Sequence, residues 1–167
     1  MSDALILTLR LDAPTFARLD AERRAHFPPG RNFIPAHLTL FHDLRDEAEV
    51  AATLSAICAR TPPLPLRVTG LRSLGRGVAY ELEGQGLTRL RRGLAEGWQE
   101  RLTPQDRHSW RPHVTVQNKV APETARTLLA ELQARFQPWD ARGEGLLLWR
   151  YRGGPWEAAG EFPFTGV

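Results

Sequence analysis

Two short stretches of the chain place an imidazole and a hydroxyl in the same order: His37-Leu38-Thr39-Leu40 and His113-Val114-Thr115-Val116. On an extended strand successive side chains point to opposite faces, so each His projects with its Thr while the aliphatic pair projects the other way. The apolar pairs belong in a core and the polar pairs in an opening. Two such strands brought face to face would offer two imidazoles and two hydroxyls to one ligand. In-line displacement at phosphorus calls for a base on the attacking oxygen and an acid on the leaving one. Imidazole titrates near neutrality and serves in either form. The two threonines would donate to the non-bridging phosphoryl oxygens and counter their charge. Each acid or base is expected to contribute about 10²–10⁴-fold in rate. No cofactor is called for. A metal site drawn from His37, His42 and His113 lacks the acidic or cysteine ligands that would complete it.

The elements that must hold these residues are written twice. Strand patterns fall at 4–11, 37–44, 64–74, 77–83, 113–120, 141–152 and 156–164, and helical patterns at 14–26, 46–60, 87–102 and 122–136. Pro14 and Pro122 stand in first-turn positions, and Asp46, Glu47 and Glu123 put acid where the helix dipole favours it. Val50, Leu54 and Ile57, with Ala51 and Cys58, recur at helical spacing and predict one buried face. In each half a strand, a helix and a loop precede the motif, and both loops carry an Arg six residues before the motif His, Arg31 and Arg107. A further helix and strand follow. The chain therefore reads as a βαβαβ unit repeated, with an added strand at the end. The expectation is a single domain over 1–167 with two lobes, about 1–75 and about 76–167. Strand–helix alternation taken alone would suggest parallel sheet.

With 167 residues, 42% hydrophobic and 25% charged, the chain can bury one substantial core, which excludes a large multidomain assembly and a disordered tail. No apolar run approaches the roughly 18–20 residues of a membrane span, and the N-terminus lacks the basic start of a signal peptide. A soluble, cytoplasmic monomer is expected. The single cysteine, Cys58, excludes an internal disulfide and reads as an inert core thiol. Net charge is +3, and of 22 basic residues only Lys119 is a lysine. Guanidinium forks suit phosphate, although +3 alone does not mark a nucleic-acid binder.

The stretches Pro35-Ala36-His37-Leu38-Thr39-Leu40 and Arg111-Pro112-His113-Val114-Thr115-Val116, at corresponding places of a repeated unit, resemble the 2H phosphoesterase superfamily. The similarity is to its bacterial 2'-5' RNA ligase or RNA 2',3'-cyclic phosphodiesterase group, and it covers essentially the whole chain. It implies an α+β fold with two pseudo-symmetric lobes, largely antiparallel sheets around a central cleft, and helices outside. It implies metal-independent opening of 2',3'-cyclic phosphates to 2'-phosphates, with His37 as proton donor, His113 as acceptor and Thr39 and Thr115 on the phosphate. Ligation of 2'-5' RNA ends is the reverse reaction. The chain departs from the family at Phe41-His42-Asp43-Leu44, where relatives tend to end in Leu-Gly. It departs again at Gln117-Asn118-Lys119, where they tend to place Arg five residues beyond the second His. These departures leave the substrate open between an RNA end, a small cyclic nucleotide and another cyclic phosphodiester. A module that binds a nucleotide or RNA end in the same cleft without turning it over is the alternative.

Around the motifs, Arg31, Arg107, Arg111 and Lys119 are candidates for further phosphates. Phe33 and Trp110, on the loops before the histidines, could stack a base or plug the core beneath. His42 is an odd number of residues from His37, so an unbroken strand would turn it to the opposite face. His108 could approach the cleft from its loop, and Arg89, Arg91 and Arg92 read as solvated helix surface. Trp149 and Tyr151 share a face of a late strand, either lining the cleft or filling the sheet.

Overall fold

The computed structural model describes residues 3–167; Met1 and Ser2, the start of the N-terminus expected to lack a signal peptide, lie outside them. Seven strands form the sheet: β1 (Ala4–Leu11), β2 (Leu38–Leu44), β3 (Leu64–Ser73), β4 (Val78–Glu83), β5 (His113–Gln117), β6 (Trp139–Tyr151) and β7 (Glu157–Pro163). The helices are α1 (Ala13–His26), α2 (Glu47–Arg60), α3 (Gln85–Gly97), the single-turn α4 (Pro104–Arg107) and α5 (Pro122–Arg135). Helix α4 lies in a stretch that reads as loop in the sequence. The Asp12 and Asp46 side chains accept from the amides of Thr15 and Glu49 and so start α1 and α2, as N-cap residues do. Among the described residues no helix is long and apolar enough to cross a membrane.

Every strand pair is antiparallel, in the order β2-β1-β6-β3-β4-β5, with β7 also on β6. The parallel arrangement suggested by alternation is thereby corrected, and the antiparallel one implied by the family resemblance holds. The reason is visible in β6. One of its edges pairs with β1; along the other, residues 139–143 pair with β3 and residues 145–150 with β7. Strand β3 diverges and β7 takes the edge it leaves. The third strand of each repeat thus pairs beside the first strand of the other, β3 with β4 and β6 with β1. Those exchanged strands, β3 and β6, also pair with each other.

The motif strands β2 and β5 are left as the two ends of the sheet, and they approach each other. Free strand edges are normally a liability and need covering. Here each is covered from the other repeat: α1 packs on β5 and α4 on β2. Alternation along β1, β2 and β5 sends Leu5, Leu7, Leu9, Leu38, Leu40, Val114 and Val116 into the core, together with Val50, Leu54 and Cys58 of α2. Burial of that kind contributes roughly 1.5–3 kcal/mol per large aliphatic side chain. It also pushes the Cys58 thiol up to about 11, as an unreactive core cysteine requires. Gly77, where β4 begins, lies so close to the Gln117 carbonyl that an added Cβ would come within 1.9 Å of its oxygen, which fixes how β4 carries β5.

Candidate active site

His37, Thr39, His113 and Thr115 are half-buried, and the aliphatic residues between and after them are fully buried. The two rings are held alike. His37 Nδ1 lies 2.8 Å from the Pro35 carbonyl and His113 Nδ1 lies 2.9 Å from that of Arg111, in each case two residues back. A carbonyl only accepts, so Nδ1 carries the proton and Nε2 is the free pole of both rings. Trp156, from the β6–β7 turn, sets its ring edgewise on His37 at 4.7 Å between centroids. Each imidazole therefore has a fixed tautomer and a free nitrogen.

The edges of β2 and β5 that face away from the sheet are satisfied by side chains from the opposite repeat. Arg23 of α1 donates from Nη1 to the Thr115 carbonyl at 2.8 Å and from Nε to Asn32 at 3.0 Å. Trp110 donates from Nε1 to the Thr39 carbonyl at 2.9 Å. Arg91 of α3 donates to the Leu40 carbonyl at 3.1 Å and to that of Asp106 at 2.7 Å, stacking over Phe41. The carboxylate of Asp106, only 1% exposed, accepts from the amides of His42 and Asp43 at 2.8–3.0 Å. The reading of Arg91 as solvated surface is corrected, and Trp110 proves to be a partly buried plug with a polar anchor. Arg23, Arg91 and Asp106 are missed by reasoning on motifs. A signal existed for two of them: Arg23 falls on the stripe of Thr15 and Leu19, and Arg91 on that of Leu87, Leu90 and Leu94. An Arg on an apolar stripe needs buried acceptors.

His42 is corrected as well. The register steps from Thr8↔Thr39 to Leu7↔Phe41 and then to Leu5↔Leu44, so β2 gains a residue twice. Leu40 and Phe41 are consecutively buried, and the face order resets. His42 then shares a hollow with Thr39 and His113, its Nδ1 3.2 Å from Asp106 Oδ1.

The polar faces open on two sides. The hollow with Thr39 and His113, of ≈ 180 Å³, is also lined by Arg72, His108 and Arg111. Arg111 is bound to Glu81 at 2.9 Å. A wider basin of ≈ 620 Å³ holds His37 and Thr115 with Arg23, Arg31, Lys119, Phe33, Tyr151 and Trp156, and among the described residues no carboxylate lines it. Phe33 is 70% exposed, so its ring is free to meet a ligand. Arg107 lines neither space and faces a separate hollow beside α3. Trp149 lines a separate hollow with His37 and Trp156, its Nε1 bonded to Thr8 Oγ1 at 3.0 Å, and Tyr151 is exposed and lines the basin.

Burial, followed by the charges of Arg23, His113 and His42, lowers the His37 imidazole to about 4, against the Pro35 hydrogen bond that raises it. Burial also lowers His113, with Arg72 and His42 adding to the effect against the Arg111 carbonyl and Glu81. Both shifts disfavour the imidazolium form. An anion between them would cancel the surrounding positive charge and return one proton.

A sequence profile of the 2'-5' RNA ligase superfamily matches residues 11–155. Comparison with curated proteins gives no match. Among solved structures, TT0787 of Thermus thermophilus is similar over 98% of both chains, with 22% identity and a TM-score of 0.71. Escherichia coli LigT in complex with 3'-AMP is similar over 99% of both chains, with 19% identity and a TM-score of 0.63. The LigT complex with NADP+ covers 99% of both chains at 20% identity and a TM-score of 0.60. At these identities the likeness to the solved structures is one of fold.

Proposed function

The chain belongs to the 2'-5' RNA ligase superfamily, and on that premise we propose that it opens 2',3'-cyclic phosphodiesters to 2'-phosphates by acid–base catalysis between His37 and His113. The observation that carries this reading is the identical tethering of the two rings, each with Nδ1 on a carbonyl and Nε2 free. Water attacks phosphorus as His113 Nε2 takes its proton, and the bond from phosphorus to the ribose 3'-oxygen breaks as His37 gives a proton to that oxygen. The product keeps its phosphate on the 2'-oxygen. Thr39 and Thr115 donate to the non-bridging oxygens. With a 5'-hydroxyl in place of water, the same ring opening, its proton passing to His113 and the 3'-oxygen leaving with a proton from His37, makes a 2'-5' linkage.

The unequal spaces support this division of labour. The leaving oxygen carries a nucleoside, and His37 lines the wide basin; water needs little room, and His113 lines the narrow hollow. Arg31, Lys119 and Phe33 are placed to meet further phosphates and a base. That LigT was crystallised with 3'-AMP and with NADP+ supports a nucleotide as occupant.

Phosphorus NMR on a panel of nucleoside 2',3'-cyclic phosphates tests the proposal. Conversion to the 2'-phosphate alone, undiminished by a chelator, is expected. Binding without conversion across the panel would replace the enzyme with a module that only holds nucleotide or RNA ends. The pH profile carries its own signature. Because both rings are lowered from 6.5, His37 to about 4, the singly protonated pair of the free enzyme exists only on the acid side of 6.5. The bell of kcat/KM should therefore peak between about pH 4 and 6.5, and that of kcat, read with the anion bound, should peak higher. A kcat/KM optimum above pH 7 would contradict the arrangement.

Thr39→Val keeps the shape and strand preference of the side chain and removes only the hydroxyl. Turnover should fall about tenfold to a hundredfold, with stability within about 0.5 kcal/mol of the parent. Unchanged turnover would remove Thr39 from the phosphate.

A further inference from the structure

The two motifs do not account for the third imidazole in the narrow hollow. His42 lies beyond the first motif, yet the extra residue of β2 between Thr39 and Phe41 returns it to the side of Thr39 and His113. Its Nδ1 meets a carboxylate that only accepts, so Nδ1 carries a proton and Nε2 is the free pole, as in both motif histidines. The side chain is 46% exposed, while Asp106 is sequestered. The clamp on β2 is complete without the ring, since both Asp106 oxygens already accept backbone amides from His42 and Asp43. The ring is thus tethered by a group that does not need it. Its charge is felt at both His37 and His113, which places it within electrostatic reach of each. The cations Arg72 and Arg111 stand in the same hollow, and among the described residues Asp106 is the sole carboxylate lining it.

We propose that His42, tethered by Asp106, is a third catalytic imidazole that donates a hydrogen bond from Nε2 to a non-bridging oxygen of the bound phosphodiester on its His113 side. The inference rests on the proposed phosphodiesterase reading and adds to it a residue outside both motifs. A ring between the Asp106 carboxylate and a phosphodiester anion meets an acceptor at each nitrogen, and a hydrogen bond to an anionic oxygen is of the stronger kind. As phosphorus gains its fifth oxygen, charge grows on the non-bridging oxygens. A donor held in advance gains most at that moment. No proton leaves His42 in the step; the proton balance stays with His37 and His113.

Two substitutions separate this role from a structural one. His42→Asn puts an amide nitrogen near the place of Nδ1, keeping the tie to Asp106, and removes the free pole. His42→Gln reaches toward the place of Nε2 with a neutral donor. With adenosine 2',3'-cyclic phosphate, His42→Asn is expected to lower kcat about a hundredfold while moving KM by less than about threefold, the split of an interaction made chiefly in the transition state. His42→Gln should recover part of that loss, and the melting temperature of His42→Asn should match the parent. Calorimetric titration with adenosine 2'-monophosphate, whose dianion would occupy the same donor, should show at least about tenfold weaker binding by His42→Asn.

The arms keep this inference distinct from the reading beneath it. A parent protein that converts no cyclic phosphate fails the phosphodiesterase reading, and the titration still decides on His42. Equal affinity of the parent and His42→Asn for the 2'-monophosphate, or binding by neither, overturns the inference. So does full kcat in His42→Asn, or a loss that His42→Gln deepens rather than relieves.

Discussion

Alanine in place of either His37 or His113 is expected to cut turnover of a 2',3'-cyclic phosphate by at least about a hundredfold, some 3 kcal/mol of transition-state stabilisation, with the fold intact. Without His113 the attacking water keeps its proton into the transition state; without His37 the ribose oxygen must leave as an alkoxide. Because both groups act in one step, the double alanine variant should fall little below either single one. Independent losses that multiply would mean the two rings serve different events. Stability gives a second reading of the same variants. The unfolded chain binds a proton at His37 as pH falls through 6.5, and the folded chain only near 4. Acidification from 6.5 toward 4 therefore costs the parent stability through this ring, and His37→Ala escapes that cost. Urea midpoints of parent and variant should move toward each other, or cross, between pH 7 and 5. Parallel curves would show that His37 is not a depressed imidazole, and activity in either alanine variant comparable to the parent would end the acid–base assignment.

Much of this was legible in the chain because it depends on local period. The alternation in His37-Leu38-Thr39-Leu40 and in His113-Val114-Thr115-Val116 needs only an extended backbone and a buried side, and each predicted long strand and helix lies within a few residues of the observed one. The repeat was legible for the same reason: two copies of one local pattern need one explanation. Strand pairing was not legible. Whether β3 lies beside β1 or β4 depends on contacts between repeats, which alternation does not encode, and the antiparallel order came from family resemblance. His42 shows the limit at a single residue. Its offset from His37 gives the wrong face because one extra residue in β2, between Thr39 and Phe41, shifts the count before His42, and the His42 and Asp43 amides that follow are held by Asp106, more than sixty residues away. Arg91 marks the opposite case, in which the pattern was present. It occupies the apolar stripe of α3, so its burial could have been read from spacing, and its partners, the Leu40 and Asp106 carbonyls, could not.

That long-range clamp carries the largest expected effect on stability. Asp106→Ala removes the acceptor of the His42 and Asp43 amides along the free edge of β2 and the negative charge beside buried Arg91. Removing one partner from a buried charged network typically costs 3–5 kcal/mol, so a loss of about that size is expected at pH 7. In a domain of this length the melting point should drop by about 6–20 °C. Asp106→Asn keeps one acceptor oxygen and the volume, and should lose less. The pH dependence has a defined sign. Burial alone would push the Asp106 carboxyl up, but hydrogen bonds from the His42 ring and from the His42 and Asp43 amides together hold it below its ordinary 3.8. The stability it supplies is thus fully present above pH 3.8 and fades as pH falls through the lower folded value, so parent and Asp106→Asn should converge in strong acid. Denaturation of the three proteins at pH 7 and near pH 3 checks both statements. Asp106→Ala within about 1 kcal/mol of the parent at pH 7 would show that water replaces the carboxylate at the edge of β2. In that event the placement of Thr39 does not depend on the Asp106 carboxylate, and the edge of β2 is held by the sheet together with the Trp110 and Arg91 hydrogen bonds to the Thr39 and Leu40 carbonyls.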